Sequence, residues 1–142
     1  MSRLAGLGGA FLVCLVCVAG MGCAPSNIAT GTCTDTFLST IDEWTCKVKG
    51  DVVGQKSSIS FTTESRNQVA VAIIALQVTK GTLQVKYYDL NGEQKVLITP
   101  SEPMSLTMRT RLRRDDRSFT LYFEPVNGDV NGLTGTVKYS TP

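Results

Sequence analysis

The stretch Met104-Ser105-Leu106-Thr107-Met108-Arg109-Thr110-Arg111-Leu112-Arg113-Arg114-Asp115-Asp116-Arg117-Ser118-Phe119-Thr120-Leu121-Tyr122-Phe123-Glu124 decides the fold class. Met104, Leu106, Met108 and Leu112 fall on alternate positions, and Phe119, Leu121 and Phe123 do so again after a charged run. Alternation with period two puts one set of side chains on one side of an extended chain, which defines a half-buried strand. Arg109, Arg111 and Arg113 take the opposite side of the first strand, and Thr120, Tyr122 and Glu124 that of the second. Arg114-Asp115-Asp116-Arg117 supplies the turn. The expected register is a hairpin in which Arg113 faces Ser118. Leu112 then meets Phe119, Met108 meets Phe123, Arg111 lies beside Thr120 and Arg109 beside Tyr122. A one-residue slip would turn the whole apolar set to water.

The same period extends outward. Downstream, Leu133, Val137 and Tyr139 oppose Thr134, Thr136 and Lys138. Upstream, Leu83, Val85 and Tyr87 oppose Gln84, Lys86 and Tyr88. Asp89-Leu90-Asn91-Gly92 then turns the chain into a return strand through Val96 and Ile98. Val69–Val78 is nearly all apolar. Its Val and Ile content favours a strand over a helix, and its continuity predicts a central strand covered on both faces. Glu64–Gln68 is a polar turn. Before it, Ile59, Phe61 and Thr63 share a face. A first strand is expected to begin at the alternation of Trp44, Cys46 and Val48. Phe37, Leu38, Ile41 and Trp44 recur at helical spacing after Asp35, a potential N-cap; this segment is read as a single turn or loop over one end of the core. The expectation is an all-β domain, a small antiparallel sandwich or jelly roll of about seven to nine strands.

From about Gly50 to Tyr139 the order of elements resembles pre-peptidase C-terminal domains, small β-sandwiches on secreted bacterial proteins. The likeness rests on Gly81-Thr82-Leu83, Asp89-Leu90-Asn91-Gly92, Ser118-Phe119-Thr120-Leu121 and Gly135-Thr136-Val137-Lys138-Tyr139. No catalytic residue comes with it.

The N-terminus has a different character. Arg3 precedes an apolar stretch through Leu12, Val13, Leu15, Val16 and Val18, which is followed by small residues, as in an export signal. The apolar part falls short of the about 20 residues of a membrane span. Val18-Ala19-Gly20-Met21-Gly22-Cys23 resembles the lipobox of bacterial lipoproteins, with Gly22 before the cysteine and departures at Gly20 and Met21. The resemblance implies cleavage after Gly22 and acyl chains of the palmitate type on Cys23, anchoring the protein in a membrane. Several acyl chains hold a protein stably where one does not. Ala24 instead of Asp after the cysteine implies outer-membrane sorting in a Gram-negative host. The alternative is ordinary secretion of a soluble protein. Residues 1–22 are thus read as a signal peptide, 23–34 as the lipidated terminus and a flexible tether, and 35–142 as the sandwich.

Cys14 and Cys17 lie inside the segment to be removed, so their C-x-x-C spacing is set aside. Cys33 and Cys46 remain, an even pair in an oxidising compartment, and are expected to form a disulfide worth about 3 kcal/mol in the chain-entropy model. No metal or cofactor is expected, because two thiols without histidine leave zinc short of ligands.

The chain has no histidine, and its 14 basic residues nearly balance 12 acidic ones. Histidine-based triads and dyads are excluded, and no strong field recruits nucleic acid. Arg109, Arg111 and Arg113 with Tyr122 form the most distinctive face. Planar guanidinium groups suit phosphate, carboxylate or sulfated glycan, and beside a membrane they suit anionic headgroups. A solvated strand face neutralised by Asp115, Asp116 and Glu124 explains the same residues. Gln84, Lys86 and Tyr88 offer a further polar strip. Asn127, Asp129 and Asn131 have the alternate spacing of a calcium loop, and two Asn-Gly turns account for them equally. The functional expectation is a non-enzymatic, lipid-anchored envelope protein that binds a protein or polymer partner or serves structurally. A glycan-binding accessory module is the second reading, and a carboxylate-dependent enzyme using Asp115, Asp116 or Glu124 the third.

Overall fold

The longest strand runs from Ser118 to Ser140, 23 residues, and the architecture follows from its length. A computed structural model describes residues 27–35 and 43–142. In chain order the strands are β1 (Thr30–Asp35), β2 (Glu43–Val53), β3 (Ser57–Thr62), β4 (Val69–Gln77), β5 (Lys80–Asp89), β6 (Gly92–Ile98), β7 (Met104–Arg111) and β8 (Ser118–Ser140). Among the described residues there is no helix, and every strand pairing is antiparallel. The fold is the expected all-β sandwich.

β8 is the centre of both layers. Its first part lies between β3 and β5, with Ile59 opposite Leu121 and Val85 opposite Phe123, and β6 extends that layer beyond β5. Its second part lies between β2 and β4, with Cys46 and Ile74 both opposite Val137. β1 and β7 form the edges of this second layer. The strand changes layer at a bulge. Thr82 pairs with Val126 and Lys80 with Asn131, so Gly81 alone faces Asn127–Val130. Asn127 and Gly128 take φ of 58° and 117° there, left-handed geometry that bends the chain and that glycine adopts without strain.

The core is the sum of the inward rows. Phe61, Leu83, Val85, Leu121, Phe123 and Val137 are fully buried, and Met104, Met108, Leu112 and Phe119 join the same cluster. Burying each large apolar side chain contributes roughly 1.5–3 kcal/mol. Phe61, Phe119 and Tyr139 pack ring against ring, and the Tyr139 hydroxyl donates to the Thr62 carbonyl at 2.7 Å.

Several sequence readings need correction. The turn at Arg114–Arg117 is present, with the Arg113 amide donating to the Ser118 carbonyl at 2.9 Å. Beyond it the expected ladder is absent: β7 pairs with β4, placing Arg109 opposite Val71, while Tyr122 lies between Ser58 and Lys86. Alternation specifies which side chains enter the core, and it reads the same whether two strands are neighbours or belong to opposite layers. β4 is interior to its layer but covered on one face only. Ala70, Ala72, Ile74 and Leu76 are buried, while Ile73 is 53% exposed. The chain also joins the sheet earlier than expected. Thr30–Asp35 pairs with β2 instead of serving as the end of a tether, because the Cys33–Cys46 disulfide joins residues directly opposite each other. Residues 1–22, read above as a signal peptide, Cys23, Ala24–Ser26 and the segment with Phe37, Leu38 and Ile41 lie outside the described residues.

Candidate functional site

The parting of β7 and β8 opens a cleft. After the turn the two strands join different layers, so the space between Arg111 and Tyr122 is not closed by a ladder. It forms a cavity of about 320 Å³ walled by Tyr88, Tyr122, Arg111 and Arg113, with Phe119 and Thr120 at its base. Two hydrogen bonds fix the far wall. The Thr110 hydroxyl donates to the Tyr88 carbonyl at 2.7 Å, and the Leu90 amide donates to the Arg109 carbonyl at 3.0 Å. Thr110 is buried on the inward row of β7, so this tie is shielded from water.

Tyr88 and Tyr122 stand on neighbouring strands, rings edge to face at 6.3 Å. They are 46% and 36% exposed, well above the buried aromatics of the core. The Lys86 ammonium lies 4.9 Å from the Tyr122 ring centre and 5.8 Å from that of Tyr88, within cation–π range. The Tyr88 hydroxyl donates to Glu93 at 2.9 Å, and Glu93 also pairs with Lys95 at 3.3 Å. The Tyr88 hydrogen bond, and after it Lys95, hold the Glu93 carboxyl below its ordinary range. On the other side of Tyr122 a second cavity of about 190 Å³ is bordered by Lys56, Gln84, Lys86, Lys95 and Glu124. Lys56 and Glu124 pair at 3.0 Å. Tyr122 is therefore the partition between two hollows of one groove across the outer side of the β3-β8-β5-β6 layer.

Of the four residues singled out from the arginine row, Arg111, Arg113 and Tyr122 line the cleft. Arg109 does not line it; it lies on the outer face of the other layer, opposite Val71. Arg113 is already engaged. Its guanidinium donates to Ser118 at 2.8 Å and Thr120 at 3.2 Å and pairs with Asp116 at 3.1 Å. Asp116 is held ionised by the hydroxyl of Ser118 and then by Arg113, which together lower its pKa. Arg111 makes no ion pair among the described residues. Gln84, Lys86 and Tyr88 do share the outer face. What sequence reading missed is that this strip and Tyr122 adjoin. β5 and β8 are far apart in the chain, and no periodicity pairs them.

The calcium candidates occupy the layer-changing bulge. Asn131 uses its carbonyl to accept from the Thr79 amide and hydroxyl, each at 3.0 Å. Asp129 lies close against Gly54. Among the described residues no three of Cys, Asp and Glu converge as metal ligands would. The described chain has no helix long and apolar enough to cross a membrane.

The fold defines the class as an antiparallel β-sandwich with a groove on one outer face. No family model and no curated protein matches the chain. Solved structures with a similar fold include a protein of the Bacillus endospore appendages, which form disulfide-linked pili. It is 13% identical at a TM-score of 0.41, covering 80% of this chain and 87% of that one. The CBM22-1 xylan-binding domain of Paenibacillus barcinonensis Xyn10C is 14% identical at 0.39, over 80% and 92%. Peruvianin-I, a cysteine peptidase from Thevetia peruviana latex, is 13% identical at 0.39, over 80% and 66%. Residue roles do not transfer across likenesses of this size.

Proposed function

We propose that the domain is a non-catalytic saccharide-binding sandwich, held at the bacterial envelope by lipid on Cys23. The observation that carries the binding reading is the pair of part-exposed tyrosines flanking a cavity that Arg111 also lines. A sugar ring offers an apolar face to an aromatic ring and hydroxyls to the surrounding donors. A few polar groups fixed around an apolar platform are how small concave sites gain orientation. The walls are prepositioned by the Thr110–Tyr88 and Tyr88–Glu93 hydrogen bonds, which lowers the entropy lost on binding.

Binding is favoured over catalysis because the carboxylates named for chemistry are otherwise occupied. Asp116 is committed to Ser118 and Arg113, Glu124 to Lys56, and Asp115 accepts from the Asp116 amide at 2.9 Å. With no histidine in the chain, neutral-pH proton transfer lacks its usual carrier. The anchor reading rests on the lipobox-like residues and, through Ala24, implies the outer membrane in a Gram-negative host.

The test is affinity electrophoresis of the protein through gels containing envelope polysaccharides, comparing wild type with Tyr122→Ala and Tyr88→Ala. Retardation of the wild type and its loss in both variants is expected. Equal mobility of all three with every polysaccharide overturns the binding reading. Acyl mass on the intact protein, absent from Cys23→Ser, checks the anchor.

A further inference from the structure

We infer that the groove takes an acidic saccharide chain, with a carboxylate, sulfate or phosphate of that chain seated among Arg66, Arg113, Arg114 and Arg117. The inference rests on the saccharide reading above and adds the chemical class of the ligand. A third cavity, of about 410 Å³, adjoins the cleft and is lined by these four arginines with Asn67, Gln68 and Leu112. No carboxylate lines it. Arg113 borders this cavity and the tyrosine cleft alike, so the arginine hollow continues the groove.

The hollow is built by fixed backbone. The Leu112 amide donates to the Gln68 carbonyl at 2.8 Å, and the Thr63 amide to the Arg117 carbonyl at 3.0 Å, locking the 64–68 loop and the 114–117 turn to each other. Arg117 is held at φ 52°, a left-handed conformation costly for a side-chain-bearing residue, and its guanidinium donates to the Ser65 carbonyl. Asp116 neutralises Arg113. Arg66, Arg114 and Arg117 have no ion-pair partner among the described residues. Guanidinium groups gathered round one hollow repel each other, and an oxyanion offers each a charge-assisted hydrogen bond of planar geometry.

Elsewhere in the groove carboxylates accompany the lysines and only Arg111 is without an ion pair among the described residues, which gives the site a direction. Lys56 is paired with Glu124, and Lys86 and Lys95 with Glu93. A neutral sugar ring therefore suits Tyr122, and an acidic substituent suits the arginine end. A free anion would use the hollow but not the tyrosines. A neutral glycan would use the tyrosines but not the hollow.

The experiment measures binding of the full-length protein to dextran, dextran sulfate, polygalacturonate and inorganic phosphate by calorimetry. Wild type is compared with Arg66→Gln/Arg114→Gln and with Tyr122→Ala, each checked for an unchanged unfolding midpoint. The expected result is binding of a sulfated or carboxylated polymer well above dextran. Removing two exposed charged contacts should weaken it about tenfold. Raising NaCl to about 0.5 M, which shortens the screening length to a few ångström, should weaken it further. Tyr122→Ala should weaken it too. Which acidic polymer binds separates carboxylate from sulfate, and competition by phosphate alone identifies a phosphate site. Equal binding of dextran and the acidic polymers, with the arginine variant unchanged and Tyr122→Ala impaired, overturns this inference and leaves the saccharide reading standing. Loss in the arginine variant with Tyr122→Ala unaffected overturns the joint site and the saccharide reading. Binding of none overturns both.

Discussion

The two outer faces of the sandwich share β8 and obey the same alternation, yet they dispose of charge in opposite ways. On the face of β1, β2, β8, β4 and β7, residues opposite one another run Thr32, Lys47, Thr136, Ala75 and Ser105 in one row, and Thr34, Thr45, Lys138, Ile73 and Thr107 in the next. Lys47, Lys49 and Lys138 there have no ion-pair partner among the described residues, and Lys47 and Lys138 sit diagonally to each other. On the face of β3, β8, β5 and β6, all four charges of Lys86, Glu93, Lys95 and Glu124 are paired, and two tyrosines rise among them. Unpaired lysines separated by threonines keep a broad sheet hydrated around the exposed Ile73 and discourage stacking on another sheet. Paired charges around part-exposed aromatics do the reverse. They fix side chains in place and leave an apolar surface available, as recognition requires.

This contrast can be broken in order of expected effect. Gly135 lies where β8 crosses β4, and a Cβ there would run into the Ala75 carbonyl. Gly135→Ala should cost at least about 3 kcal/mol of unfolding free energy in a denaturant titration, because backbone must move. Replacing Cys33 and Cys46 together by Ala should cost about 2 to 3 kcal/mol, read the same way, while leaving the groove side unaltered. Tyr122→Ala should show the opposite profile, losing about 2 kcal/mol of saccharide affinity with little change in stability. Glu93 should titrate below the usual glutamate range in carboxyl NMR. Because its folded pKa is lowered, its stabilising contribution is present above the unfolded value and is lost as pH falls through the folded value. Tyr88→Phe removes the largest cause and should move Glu93 back upward. The smallest effect belongs to Lys47→Gln with Lys49→Gln and Lys138→Gln. Stability should stay within about 0.5 kcal/mol and groove affinity should not change. A loss of saccharide binding in that variant would erase the distinction between the faces.

Local chemistry made much of this legible in the chain. The rows Leu83, Val85, Tyr87 and Leu133, Val137, Tyr139 are buried as their period implied. Asp89 pairs with Gly92, and the Asn91 amide is capped by Asp89 at 2.7 Å, as the turn residues suggested. Partner choice was not legible. Arg109 falls opposite Val71 and Tyr122 opposite Lys86, because β7 and β8 part after their turn, and alternation carries no term for which layer a strand joins. The apolar run of β4 misled for a related reason. Ile73 is as β-branched as Ile74, and only the neighbouring layer decides which of them is covered. The groove was therefore half visible: Arg111, Arg113 and Tyr122 were read together, while Tyr88 came from a separate hairpin and Arg66 from a loop that carried no periodic signal.

The 23-residue strand has a consequence for the order of folding. Because β8 is the middle strand of both layers and the last of the eight to be synthesised, neither layer has a centre until Ser118–Ser140 is available. The earlier strands can form local hairpins such as β5 with β6, but their edges stay open and the loop-closure cost of the long-range pairings is not yet offset. An incomplete chain thus remains threadable. Under the export and anchoring proposed above, that delay would keep the chain passable until its last strand emerges.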